Sequence, residues 1–257
     1  MINPNGIIVY EGPSRIDGAP IVVIATGMSG NASRNAKTGG LVQTWILRAD
    51  ISPVDAIKSG ADKSICGDCP HRGETVDGRN VNRSCYVTVF QAPLVVWKAY
   101  KAGRYAKPAN IAGLFAGKRV RLGAYGDPAA IPAIIWAQAL QGAEAHTGYT
   151  HQWRNLVTFR RAELDQFQGW LMASCDNADD YLAAKNTGWR TFRVRRADEP
   201  LRQREVICPA SHEAGQKTTC SACVACGGNG AKARVDIAII AHGAASKVNA
   251  FNANRAA

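Results

Sequence analysis

Two stretches of this chain, "RVRLGAYGDPAAIPAIIWAQAL" (119–140) and "GWLMASCDNADDYLAAKNTG" (169–188), share one plan. Each runs from an apolar segment through a junction of Gly, Asp, Asn or Pro into a helical pattern. Strand–turn–helix units repeated in this way call for a parallel sheet with helical crossovers, which restricts the fold to the α/β class. Further strand-like runs lie at 143–155, 189–196, 204–211 and 233–243. Helical patterns are too few for a complete eight-fold barrel, so the expectation is a partial or degraded (β/α) barrel-like parallel sheet. Residues 1–50 form a β-rich N-terminal segment, with two runs around a Gly/Pro turn (6–26) and a third at 41–49. Ser52 and Pro53 read as the cap and first residue of a short helix, and Asp127 and Pro128 as those of another. Residues 87–106 read as an amphipathic helix that Pro93 kinks or delays. No low-complexity linker divides the chain, so 1–257 is read as a single domain.

The second constraint is sulfur. "CPASHEAGQKTTCSACVACGG" (208–228) holds four of the eight cysteines, with two-residue gaps between Cys220, Cys223 and Cys226. Three thiolates on a tight loop plus one from a more remote segment is how ferredoxin-type chains grip a cubane. Cys208, Cys220, Cys223 and Cys226 are therefore expected to hold a [4Fe–4S] cluster in a cysteine-rich loop spanning 208–230. Structural zinc, which more often uses two separated pairs, is the alternative. Cys66, Cys69 and Cys85 form a second group of three, whose centre would be completed by Cys175, His71 or an exogenous ligand. A cluster iron lacking a cysteine leaves a position for a small molecule. His71, Arg72, Arg79 and Arg83 nearby favour thiolates in either case. Clustered cysteines, with no basic region and apolar stretch at the start, point to metal ligands in a reducing cytoplasm rather than to disulfides.

In parallel α/β sheets, ligands sit beyond the carboxyl ends of the strands. There the sequence places Tyr125 and Asp127, then Tyr149, His151 and Trp153, then Cys175, Asp176 and Asn177, then Cys208 and Ser211. Tyr125, Asp127, His151 and Asp176 are the candidate cofactor contacts, and Cys175 a further candidate metal ligand. Each has a plainer reading: the two aspartates as helix caps, His151 as a loop hydrogen-bonder, Cys175 as a small buried side chain. The loop 27–40 lacks Walker spacing, but Lys37 and its backbone amides suit an anion.

The net charge is +11, and 186–204 contributes six arginines. Such a surface would attract nucleic acid, so the arginine-rich segment 190–204 is a candidate contact; a solvated face answered by Asp198, Glu199 and Glu205 is the alternative. No run approaches the roughly 20 apolar residues of a membrane span.

"RLGAYGDPAAIP", "GYTHQW", "MASCDNADDYLAAKNTGWRTFRV" and the cysteine stretch together resemble a family of tailed-bacteriophage proteins of uncharacterised activity, over roughly residue 30 to the last strand. The resemblance implies a viral protein of the host cytoplasm with an iron–sulfur-like motif and a host protein as a candidate partner, and leaves its role, in redox chemistry or host modulation, open. The cysteines at 66–85 and the strand-end loops are also similar to radical SAM enzymes. That likeness implies S-adenosylmethionine on an open cluster, although Cys66, Cys69 and Cys85 are more widely spread than the usual Cys-x-x-x-Cys-x-x-Cys. A zinc-stabilised nucleic-acid-binding protein is the third reading.

Overall fold

The structure is a computed structural model that describes residues 2–30 and 35–256. Strands β1 (Gly6–Pro13), β2 (Pro20–Thr26) and β3 (Val42–Arg48) form an antiparallel meander. β2 is apolar at every interior position because both of its faces are covered; Ile21, Val22, Val23 and Ile24 are wholly buried. After β3 come helices α1 (Pro53–Ser59) and α2 (Lys63–Cys66). Ser52 caps α1 by accepting the Asp55 amide, with Pro53 in the first turn as its sequence requires. A short hairpin follows, β4 (Glu74–Val76) and β5 (Arg79–Val81), turned by Asp77-Gly78 with both residues at positive φ. Pro93 lies in the first turn of α3 (Ala92–Lys101), so the helix starts late and is not kinked.

From β6 (Arg119–Tyr125) onward the chain alternates. α4 (Ala133–Ala139), β7 (Ala145–Thr150), α5 (Arg161–Gln168), β8 (Met172–Cys175), α6 (Ala178–Asn186), β9 (Thr191–Arg195) and β10 (Glu205–Ile207) follow in turn. A one-turn α7 (Cys220–Cys223), β11 (Asp236–Ile240) and α8 (Ala245–Ala256) complete the chain. The sheet has nine strands in the order β1-β2-β3-β6-β7-β8-β9-β11-β10, and every pairing from β3 onward is parallel. No pairing among the described residues joins β10 to β1, so hydrogen bonding does not close the sheet. β11 inserts between β9 and β10, so the connection after β10 runs from the carboxyl edge to the amino edge of the sheet. There Gly230 donates to the Gly169 carbonyl ahead of β8, and Asn229 to the Gly188 carbonyl ahead of β9. Trp136, Phe115, Phe159 and Phe167 are buried among the core residues beside the sheet. No helix among the described residues is long and apolar enough to cross a membrane.

Two junctions differ from the sequence expectation. Asp127 caps a 3-10 turn (Pro128–Ala130) by accepting the Ala129 amide, and the α-helix starts only after Pro132. Asn177, not Asp176, caps α6, accepting the Asp180 amide at 2.8 Å. Half of the arginines in this stretch are internal: Arg190, Arg193 and Arg195 are buried, Arg196 and Arg202 are half-buried and Arg204 is exposed. Arg193 and Arg195, two residues apart on β9, turn to one face, while Arg190 precedes the strand. Arg193 forks onto Glu205 with two bonds of 2.7 Å and also reaches Glu199.

Candidate metal centres

The carboxyl ends of the parallel strands open onto one cavity of about 480 Å³, and all eight cysteines line it. Cys208 follows β10, and Cys220, Cys223 and Cys226 come from the loop that runs on from there toward the amino ends of the strands, where Arg119 at the start of β6 donates to the Ser221 carbonyl. That loop is tied down along its length. Cys220 and Ser221 donate backbone N–H bonds to the carbonyls of Lys37 and Thr38, and Gly148 of β7 donates to the Cys226 carbonyl. The Arg190 guanidinium donates to the Ala225 and Gly228 carbonyls at 2.9 and 2.8 Å. Arg195 pairs with Glu213 near the start of the loop. Between Cys223 and Cys226, Val224 takes a left-handed conformation at φ 44°, which a β-branched residue rarely accepts. Such strain persists where the surroundings over-determine the backbone, as in ligand clamps.

Every pair among Cys208, Cys220, Cys223 and Cys226 lies within electrostatic range. Burial pushes the thiols of Cys208, Cys220 and Cys226 up, the last to about 12, but donors converge on these three in opposition. The Ala210 amide reaches the Cys208 sulfur, the Tyr149 hydroxyl reaches Cys226, Lys37 stands beside Cys208 and Cys220, and Arg121 beside Cys220. Each of these favours thiolate.

Cys66, Cys69 and Cys85 form the second group, again with every pair in electrostatic range. Cys66 ends α2 and Cys69 follows it across Gly67, while the Cys85 amide bonds to the His71 carbonyl. Asp62, wholly buried, clamps this segment from both sides, accepting Arg72 on Oδ1 (2.8 Å) and Arg83 on Oδ2 (3.0 Å). The Val87 amide reaches the Cys85 sulfur. Burial, with Asp62 and the other two sulfurs, holds Cys66 well above an ordinary thiol. The Tyr125 hydroxyl is buried without a hydrogen-bond partner, beside Cys66 and Cys85.

Next to Cys69 stand His71, His151 and Asp176, whose ligand atoms lie within 4.8 Å of one another. Among the described residues this is the group of three at such spacing; the sulfurs of the two cysteine groups are spread more widely. Burial opposes a charge on His151, but Cys69 and Asp176 outweigh it and hold the imidazolium well above its usual range. Burial likewise opposes the Asp176 carboxylate, and the two histidines outweigh it.

The remaining candidates divide. Asp127, on the cavity wall, accepts the Ala129 and His151 amides and the Thr150 hydroxyl on its carboxylate, so it positions the strand end that bears His151. Trp153 is core, its indole bonding the Ser174 carbonyl. Cys175 lines the cavity but points at the Ala173 carbonyl, and its electrostatic neighbours are Asp180 and Asp176 rather than another cysteine. It stands outside both sulfur groups. Arg121 escaped the sequence reading, although its alternation with Arg119 on β6 aims both from one face of the strand. No family model, curated protein or solved structure matches this chain.

Proposed function

We propose that this chain is an iron–sulfur protein, with Cys208, Cys220, Cys223 and Cys226 as the ligands of a [4Fe–4S] cluster. The observation that carries the reading is the arrangement of the four sulfurs. They are mutually close and met by N–H, O–H and cationic groups, yet no three lie within 4.8 Å of one another. A zinc–thiolate tetrahedron needs its sulfurs about 3.8 Å apart, from Zn–S bonds of about 2.3 Å. The wider spread suits a polynuclear cluster, whose irons each take one thiolate. The Tyr149 hydroxyl and the Ala210 amide stand beside the sulfurs, and donors so placed are the means by which a protein tunes such a cluster.

A second reading adds catalysis. Cys66, Cys69 and Cys85 would grip another cluster with one iron facing the cavity, as in radical SAM enzymes, in a partly closed barrel. The unpartnered Tyr125 hydroxyl beside Cys66 favours it. Nucleic-acid binding through 190–204 would rest on Arg196, Arg202 and Arg204, since Arg190, Arg193 and Arg195 are enclosed.

Anaerobically purified protein should be brown and contain iron and acid-labile sulfide. Cys220→Ser and Cys223→Ser should each lose that cluster and much stability, since bound metal contributes folding free energy. Stoichiometric zinc without sulfide would overturn the assignment. A change in the reduced EPR spectrum on adding S-adenosylmethionine, abolished by Cys69→Ser, would establish the second reading.

A further inference from the structure

We infer that His71, His151 and Asp176 form a third, mononuclear site for a divalent first-row transition ion on the wall of the same cavity. The site stands whether or not the cysteines hold iron–sulfur clusters.

Three observations converge. The first is spacing. His71 Nε2 lies 2.9 Å from Asp176 Oδ1, and His151 Nε2 lies 3.1 Å from Oδ2. Two ligands about 2.05 Å from one ion and at right angles to each other are separated by about 2.9 Å, so these contacts match adjacent positions on a metal. The second is an unmet demand. The His151 Nε2 to Asp176 Oδ2 contact misses hydrogen-bond alignment, so both atoms are buried with no hydrogen-bond partner. Buried polar atoms of native proteins are almost always satisfied, and an ion between them would satisfy both. The third is orientation. His71 Nδ1 is 2.8 Å from the Ser84 hydroxyl, so donation from Nδ1 leaves Nε2 with its lone pair toward the carboxylate. A histidine ligand is commonly held through its other nitrogen in this way. Phe251 of α8 stacks on the His71 ring at 5.7 Å, and His151 meets the same ring edge-on.

Two imidazoles and one carboxylate are a ligand set for Fe(II) or Zn(II) with positions left open. All three residues line the cavity, so those positions face the space into which both cysteine groups look. A small molecule with an oxygen donor would bind there, polarised by the ion.

Cobalt(II) is the probe, added to the full, anaerobically handled protein after mild chelation, with bound metal read by visible absorption and elemental analysis. Wild type should take up one equivalent that His151→Gln and Asp176→Asn do not, while both variants keep wild-type iron and sulfide. Ser84→Ala should retain the site but weaken cobalt about 10- to 100-fold, as expected for loss of an orienting partner. Should Asp176→Asn fail to fold, His71→Gln tests the same loss from the other side of the carboxylate. Cobalt uptake unchanged in His151→Gln and His71→Gln would overturn the inference, as would uptake that disappears only with Cys66→Ser or Cys85→Ser.

Discussion

His146 sits behind the cysteine loop, where a Cβ on Gly227 would lie 2.8 Å from the His146 carbonyl oxygen. Burial lowers its imidazole below the usual value, only partly offset by hydrogen bonds to the backbone at Gly227 and Trp170, and its Nε2 has no partner. The unfolded chain, with a histidine near 6.5, therefore takes up a proton that the native state refuses. The contribution of His146 is complete above about pH 6.5 and is lost as pH falls toward its folded value, by at most about 1.4 kcal/mol per pH unit. His146→Gln should remove that slope. Urea midpoints at about pH 7.5 and 5.5 should diverge between the two proteins in the variant's favour at the acid end. An equal difference at both pH values would sink the assignment. Single residues were also where the sequence was least legible. Asp176 and Asn177 are adjacent and both can cap, and only the tertiary approach of His71 and His151 assigns Asn177 to the helix and Asp176 to the histidines.

Among the elements, the segment from α2 to Cys85 depends on one buried carboxylate. Asp62 is wholly enclosed and holds Arg72 and Arg83, and Arg83 is itself buried. Removing one partner of a buried pair leaves an uncompensated charge, at a cost of about 3–5 kcal/mol. Asp62→Ala should therefore lower stability by that order and, on the proposed reading, abolish metal binding at Cys66, Cys69 and Cys85 while sparing the cluster proposed for the 208–226 quartet. Iron analysis beside a denaturation curve reads both; full retention of metal would show that the clamp is dispensable. The strands were legible because parallel strands covered on both faces become apolar runs, and because each ends in a Gly, Asp or Pro junction. The hairpin at Asp77-Gly78 carried a readable turn signal, but its flanking strands, Glu74–Val76 and Arg79–Val81, are too short and polar to register as strands. Helix α8 was invisible because "ASKVNAFNANRA" has little amphipathic pattern. It is placed by particular contacts: Phe251 on His71, Lys247 on the Arg83 carbonyl, Arg255 on Glu199.

Across the whole molecule, the arginines that resembled an anion-binding surface act as internal forks. Arg190 grips the carbonyls of Ala225 and Gly228 at the end of the cysteine loop, and Arg195 holds Glu213 near its start. Arg193 binds Glu205 and Glu199, and Glu199 also binds Arg255, which ties β9 to α8 and so to the cover over His71. The positive charge that composition assigns to a surface is thus spent in part on fixing the two segments that frame the cavity. Lysine separates these roles, because Arg190→Lys and Arg193→Lys leave the net charge at +11 while a point ammonium cannot reproduce a planar fork. If the arginines served as charges for an anionic partner, both variants would behave like wild type. If they serve as forks, Arg193→Lys should lose several kcal/mol, approaching the roughly 3–5 kcal/mol of a broken buried pair. Arg190→Lys should release the cysteine loop, seen as faster loss of cluster absorbance to a chelator with little change in global stability. Binding to a DNA or RNA oligomer at low salt should be the same for all three proteins. Wild-type stability and wild-type cluster retention in both variants would return these residues to the surface role.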